Sequence, residues 1–337
     1  MTYPNLVSIA FQTNKPLSAY GPLAEAAENY GFDGVSVYND MLYQPAWLPL
    51  LEMARQTRRV RLGVAAANPF TCHPLTMAGN IALIDEASQG RATLGLARGG
   101  WLDFVGLEPA RPVTALREAF GCIRHLLSGS KDPFPGEIFP LAGGESLRWP
   151  VYRPDIPFLL GTWGSKTIHA CLPYISEIKI GGTANPGVIP QIQQAVNEAA
   201  QRSGRNPAEV SLAIGAVTVV AEDGSAARRL ARQEAALYIS IIAQLDHGLG
   251  IEPELLSRIN EASARYDYER VGSYISDELL RRLAFAGTPD EVAAQAIELF
   301  EAGAGRVEFG TPHGLDETEG VRLLGERVLP ALRDSRQ

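Results

Sequence analysis

The feature that most constrains this chain is a repetition: a short β-branched or apolar run followed by a helical pattern, eight times over. Leu6-Val-Ser-Ile-Ala10 is followed by Tyr20, Leu23, Ala27 and Tyr30 at helical spacing, and Gly31 is the stop. Gly34-Val-Ser-Val-Tyr38 precedes a helix near 47–58, and Val60-Arg-Leu-Gly-Val-Ala65 one near 75–87. Arg91-Ala-Thr-Leu-Gly-Leu-Ala97 precedes a helix with Val113, Leu116, Phe120, Ile123 and Leu127 on one face. The rhythm continues with Pro157-Phe-Leu-Leu-Gly161, Ile175-Ser-Glu-Ile-Lys-Ile180 and the run 210–220. Thr288-Pro-Asp-Glu291 has the form of a capping box with proline at the first helical position. Its helix ends at Gly303, Arg306-Val-Glu-Phe-Gly310 is the eighth strand, and a last helix closes near Leu332.

Strands separated by helices form parallel sheets, because each helix carries the chain back to start the next strand. An open, doubly wound sheet is the alternative. Eight units in 337 residues favour closure into an α/β (β/α)8 TIM barrel, a fold that uses about 250 residues and more with insertions. Two stretches break the pattern, about 129–154 and about 245–284, and are read as insertions. With no short repeat and no low-complexity linker, residues 1–337 are read as a single domain.

Composition sets the partners. The chain is 46% hydrophobic and 20% charged, which is neither disordered nor fibrous. Its net charge of −8, without a run of Lys or Arg, argues against nucleic acid and anionic membranes. Met1 to Asn14 lacks the charged region and apolar core of a signal peptide, and no apolar run reaches the ~20 residues of a membrane span. Cys72, Cys122 and Cys171 are far apart and fit free thiols. The expectation is a cytoplasmic protein whose partner is a small molecule.

In such barrels the chemistry lies in the loops that follow the strands. No Gly-x-Gly-x-x-Gly follows the first strand, and there is no Walker loop, HExxH or Gly-x-Ser-x-Gly. The five histidines are scattered; His73 and His313 with Asp40 are the set weighed for a metal, and no metal site is expected. What remains is a mouth rich in Gly, Ala, Thr and Asn, with Tyr43, Trp101 and Trp163 near it, a surface suited to a flat aromatic cofactor. Gly161-Thr-Trp-Gly-Ser-Lys166 runs from a strand end into a helix start, where free N–H groups favour phosphate.

Asn68-Pro-Phe-Thr-Cys-His-Pro74, Ile84-Asp-Glu-Ala-Ser-Gln-Gly-Arg91, Leu94-Gly-Leu-Ala-Arg-Gly-Gly100 and Phe309-Gly-Thr-Pro-His-Gly-Leu-Asp316 resemble the methylenetetrahydromethanopterin reductases of the luciferase-like superfamily of flavin and deazaflavin oxidoreductases. The similarity runs from Leu6 to Leu332. It implies a barrel with insertions and the cofactor F420, with FMN as the alternative. Asp40 falls where these enzymes keep an acid beside the ring or substrate, although Met41 stands where the family often has His. Ala65-Ala66 matches a non-proline cis peptide that buttresses the ring. Asn68, Ala97, Arg98 and Gly99, then Thr162, Trp163, Gly164 and Ser165, and Gly181 and Gly182 match cofactor-holding positions. Arg98 has two readings, an anion partner or a salt bridge to a neighbouring carboxylate. Gly100 stands where the F420-dependent glucose-6-phosphate dehydrogenases place a catalytic Glu, which argues against that activity. Asp85 and Glu86, on a helix, are read as structural, and His313 as a hydrogen-bond donor to substrate.

The resemblance implies hydride transfer between F420 and a small organic substrate, with a C=N or C=C bond favoured and Asp40 as proton donor or orienter. An FMN-dependent monooxygenase is the rival enzyme, and a flavin- or ligand-binding barrel without turnover is the rival of another class. By analogy with the family, a homodimer is expected.

Overall fold

Nine strands form one parallel sheet: β1 (Leu6–Phe11), β2 (Gly34–Val37), β3 (Arg61–Ala67), β4 (Ala92–Ala97), β5 (Phe158–Gly161), β6 (Glu177–Gly181), β7 (Ser211–Val220), β8 (Ala284–Gly287) and β9 (Arg306–Gly314). This is a computed structural model describing residues 5–334. The first four residues of the stretch read for a signal peptide lie outside that range. Hydrogen bonding runs β6-β5-β4-β3-β2-β1-β9-β7, and β7 returns to β6, so eight strands close on themselves. Closure excludes the open doubly wound sheet. Among the described residues no helix is long and apolar enough to cross a membrane.

The sheet departs from the sequence reading at β7. Its lower half pairs with β6, from Ser211 opposite Glu177 to Gly215 opposite Gly181. Its upper half pairs with β8, from Val217 opposite Ala284 to Val220 opposite Gly287. The short Ala-Phe-Ala-Gly strand therefore extends the wall where β6 stops, and it begins where the second insertion was read to end. That insertion is helical: Pro253–Ala264, Tyr268–Ser273 and Asp277–Leu283 follow an earlier departure at Ile239–Leu245. Val271, Ile275, Leu280 and Leu283 bury themselves with Ala227 and Ala231 in a second apolar cluster beside β7 and β8. The stretch 129–154 carries an isolated bridge, Phe134 to Leu141, and no helix or strand.

The barrel interior positions the site in an unusual way. Branched aliphatic side chains normally fill such a barrel. Here Ser8, Ser36, Gly63 and Gly215 point inward, and long charged side chains from β6 and β9 occupy the middle. Arg306 donates to Glu177 (2.9 and 2.6 Å), to Glu308 (2.7 Å) and to Ser8 Oγ (2.6 Å). Ser36 Oγ donates to Glu308 Oε2 at 2.6 Å, and Lys179 Nζ pairs with Glu308 Oε1. Burial alone would raise the Glu308 carboxyl; the Lys179 and Arg306 cations outweigh it and hold it well below the usual carboxylate range. Every charge in the column has a partner, the condition under which buried ions are tolerated.

Candidate active site

The C-terminal ends of the strands converge on one mouth. Just after β1, Gln12 Nε2 donates to Asp40 Oδ2 at 2.9 Å, fixing the carboxylate that follows β2. Asn39 Oδ1 accepts from Ala46 N at 3.0 Å and ties the same loop to the next helix. Below Asp40, Tyr38 reaches into the barrel, with Lys179 Nζ 5.2 Å from its ring centroid. Burial, then the negative charges of Glu308 and Asp40 and the nearby Tyr238, raise the Tyr38 hydroxyl well above its usual value. Tyr238, from the turn before helix Ile239–Leu245, is pushed up to about 12 by burial and by Asp40, Glu234 and Tyr43. Its ring meets Trp101 edge-on at 6.5 Å. Both tyrosines therefore stay neutral near pH 7, and the charge of Asp40 acts on each of them.

The walls are small residues held apart by specific contacts. The Ala65-Ala66 peptide is cis, and the β3–β4 register shifts between Val64 and Ala67. Asn68 is buried, and its Oδ1 accepts from Phe70 N (3.1 Å), Thr71 N (2.9 Å) and Thr71 Oγ1 (3.1 Å). Gly99 has φ +86°, and a Cβ there would lie 3.0 Å from Asn68 Nδ2. Asn68 thus shapes its own turn and supports the β4 loop from behind. Gly182, φ +82°, donates its N–H to Gly215 O at 2.8 Å, and a Cβ there would meet Ile242 Cδ1 at 2.6 Å. At Gly181 a Cβ would find nothing within 4 Å, so that wall is open. Thr162 Oγ1 accepts from Gly164 N at 3.1 Å, while Gly164, Ser165 and Lys166 are exposed. The helix they open, Ser165–Cys171, has seven residues, so its dipole is small.

A family model for luciferase-like monooxygenases matches residues 5–306. The chain belongs to the luciferase-like monooxygenase family. Among this family's curated members, 5,10-methylenetetrahydromethanopterin reductase of Methanolobus tindarius is 26% identical over 330 residues, covering 95% of this chain and 98% of that one. The enzyme of the same name from Archaeoglobus fulgidus is 27% identical over 317 residues, covering 91% and 93%. The luciferase-like barrel also superposes on the coenzyme F420 dependent tetrahydromethanopterin reductase of Methanopyrus kandleri with TM-score 0.87, at 24% identity and with 98% and 99% of the chains covered. An F420-dependent secondary alcohol dehydrogenase follows the same fold with TM-score 0.79, at 18% identity over 98% and 100%.

Within this luciferase-like barrel the sequence-predicted residues divide. Asp40, Ala65, Ala66, Ala97, Arg98, Gly99, Thr162, Trp163, Gly164, Ser165, Gly181 and Gly182 all stand at strand ends of one face. Arg98 is exposed and forms no salt bridge to a neighbouring carboxylate among the described residues. His313 requires a correction. It is fully buried, edge-on to Phe11 at 5.2 Å; its Nε2 donates to Ala10 O at 3.0 Å, and its Nδ1 lies 3.7 Å from Glu317 Oε1. With no surface toward the mouth, it braces β9 against β1 and does not present a donor to substrate. His73 caps helix Pro74–Ala87 by accepting from Leu75 N at 3.1 Å, and no three His, Cys, Asp or Glu side chains converge as a metal site among the described residues. Asp85 is structural as read: it is buried, paired with Arg153 at 2.8 Å, and accepts from Ala92 N at 3.2 Å.

Sequence reasoning missed Gln12, Tyr38 and Tyr238. Gln12 and Tyr38 each follow a strand directly, which is a usable signal. Tyr238 sits in a helical turn with none. The charged column was also legible, because Ile-Lys179-Ile and Val-Glu308-Phe each place a charge between apolar neighbours on a strand.

Proposed function

We propose that this protein is an F420-dependent oxidoreductase that transfers a hydride between the deazaflavin and a small organic substrate, with a pterin-like C=N or C=C bond favoured. The observation that carries the reading is coverage: relatives named as methylenetetrahydromethanopterin reductases align with more than nine-tenths of this chain and of their own length. The mouth fits the cofactor. Its open wall at Gly181 and the tight turns at Gly99 and Gly182 leave room for a planar ring. Arg98 and Lys166, both exposed and without ion pairs among the described residues, suit an anionic tail. When bound, F420 supplies a two-electron hydride carrier. The chain's own contribution is to hold the ring between the alanine and glycine walls, exclude water, and keep Asp40, oriented by Gln12, beside the reacting face. Tyr238, whose ring meets Trp101, feels the charge of Asp40 and would be one boundary of the space left for substrate.

We further propose that the protein is a homodimer. Leu48, Leu75 and Leu83 are 60%, 49% and 52% exposed on the neighbouring helices Trp47–Gln56 and Pro74–Ala87, an apolar face suited to a second copy.

The test is titration with F420 and with FMN, followed by fluorescence, and then anaerobic turnover of reduced F420 with imine and enone acceptors. Tight F420 binding, weak FMN binding and oxygen-independent turnover are expected. Tight FMN binding with oxygen-dependent turnover would replace the reading with a monooxygenase, and binding without turnover would leave a ligand-binding barrel.

A further inference from the structure

Opposite the mouth, a cavity of about 620 Å³ enters the barrel from its N-terminal face and reaches Ala65. Its spine is the inward side of β3: Arg61 at the entrance, Gly63 in the middle and Ala65 at the top all line it. Gly63 is flanked by Thr93, whose Cβ would be 3.8 Å from an added methyl, and by Ser36 Oγ at 3.9 Å. The glycine is not demanded by the backbone. Its φ is not in the left-handed region, and the nearest atom to an added Cβ, Thr93 O, is at an ordinary 3.6 Å. Its absent side chain keeps a notch open between Thr93 and the Ser36 hydroxyl.

The charges around the cavity are accounted for, with one exception. Arg306 is held by Glu177, Glu308 and Ser8. Arg153 is held by Asp85, and Arg91 by the carbonyls of Ala54, Thr57, Val60 and Ser88. Arg59 Nη2 donates to Glu28 O at 3.3 Å. Of the carboxylates, Glu177 belongs to Arg306, Glu209 pairs with Arg205, and Asp33 accepts from Val7 N at 2.8 Å. Arg61 is exposed, and its guanidinium has no hydrogen-bond or ion-pair partner among the described residues.

We propose that this cavity is a second small-molecule site, and that it takes a compact organic carboxylate. The carboxylate forks onto Arg61, the body lies along the Gly63 notch between Thr93 and Ser36, and the far end stops under Ala65. A planar guanidinium with its donors unengaged matches a carboxylate bidentately, which a cation or a purely apolar guest cannot use. The volume falls within the range of small-molecule pockets. The site stands apart from the F420 reading and does not depend on it.

The probe is 4-fluorobenzoate, followed by 19F NMR line broadening against the full-length protein with and without added F420. Saturable broadening is expected in both states, with neutral 4-fluorobenzamide binding at least tenfold more weakly. Arg61→Gln and Gly63→Val should each weaken the benzoate at least tenfold, by removing the fork and by filling the notch. Arg61→Lys, which keeps the charge without the planar fork, should give an intermediate loss. Absence of saturation, equal binding of the amide, or unchanged binding in the variants would overturn the proposal. So would loss of the signal on adding F420, since the probe would then sit in the mouth.

Discussion

At the residue scale the mouth has one carboxylate that is oriented but not neutralised. Asp40 receives the Gln12 amide and no cation among the described residues. On the proposal that Asp40 is the proton donor or orienter, its removal should cost what positioned acid–base groups contribute, about 10²–10⁴-fold. Asp40→Asn keeps the shape and an oxygen for the Gln12 contact but not the carboxylate. Its turnover with reduced F420 is expected to fall by about that factor, while F420 affinity stays within about threefold. A parallel loss of F420 affinity would instead make Asp40 a cofactor ligand. Lys179 has the opposite character, being buried and neutralised. Lys179→Met leaves Glu308 with less compensation, and removing one member of a buried pair costs about 3–5 kcal/mol. The pH dependence has a definite sign. Because Glu308 is depressed in the fold, its contribution is complete above the ordinary carboxylate value near ~4.3 and is lost as pH falls toward its folded value. Denaturant melts from pH 7 to 3 should show a steep acid limb in the native protein and a shallower one, from a lower starting point, in Lys179→Met.

At the element scale, local signals decide how well the chain can be read. The helix Pro289–Glu301 is the clearest case. Thr288 Oγ1 accepts from Glu291 N at 3.4 Å, and Glu291 Oε2 accepts from Thr288 N at 2.7 Å and from Arg228 Nη1 at 2.8 Å. Thr288→Ala should lower unfolding free energy by about 1 kcal/mol, read from a shifted urea midpoint at unchanged slope. A null effect would mean that the Glu291–Arg228 pair alone secures the start. Eight of the strands were legible for the same kind of reason: short β-branched or apolar runs, some with a single charge between apolar neighbours, each followed by a helical pattern. β8 was not. Ala284-Phe-Ala-Gly287 is too short and too poor in β-branched residues to announce itself, and the upper half of β7 supplies its pairing. The helices between 247 and 283 were hidden because their apolar residues pack on one another and on helix Gly224–Ala236, so no long periodic face appears in any one of them.

At the scale of the whole molecule, strand order explains which site residues could be found from the sequence. Glycines and alanines at strand ends could be assigned to the mouth because a closed parallel barrel sends all those ends to one face. His313 was misread because strand position says which end a residue occupies but not which way its ring turns. At φ +75° the chain turns the ring down against Phe11 and Ala10. Tyr238 was missed because a segment outside the eight-fold rhythm brings it over the mouth. The outer surface poses the same problem in reverse: Leu48, Leu75 and Leu83 look like core positions in a sequence, yet they face outward. Helix Trp47–Gln56 packs beside helix Pro74–Ala87, so the three leucines lie on neighbouring elements of one side. Covering the half-exposed leucines removes apolar surface from water, which favours association against the entropy lost on pairing two copies. Leu83→Glu would place a charge in that apolar contact without touching the mouth or the N-terminal cavity. Sedimentation velocity should then report a dimer for the native chain and a monomer for the variant, with F420 affinity unchanged. A native monomer would show instead that these leucines are exposed for no association of the chain with itself.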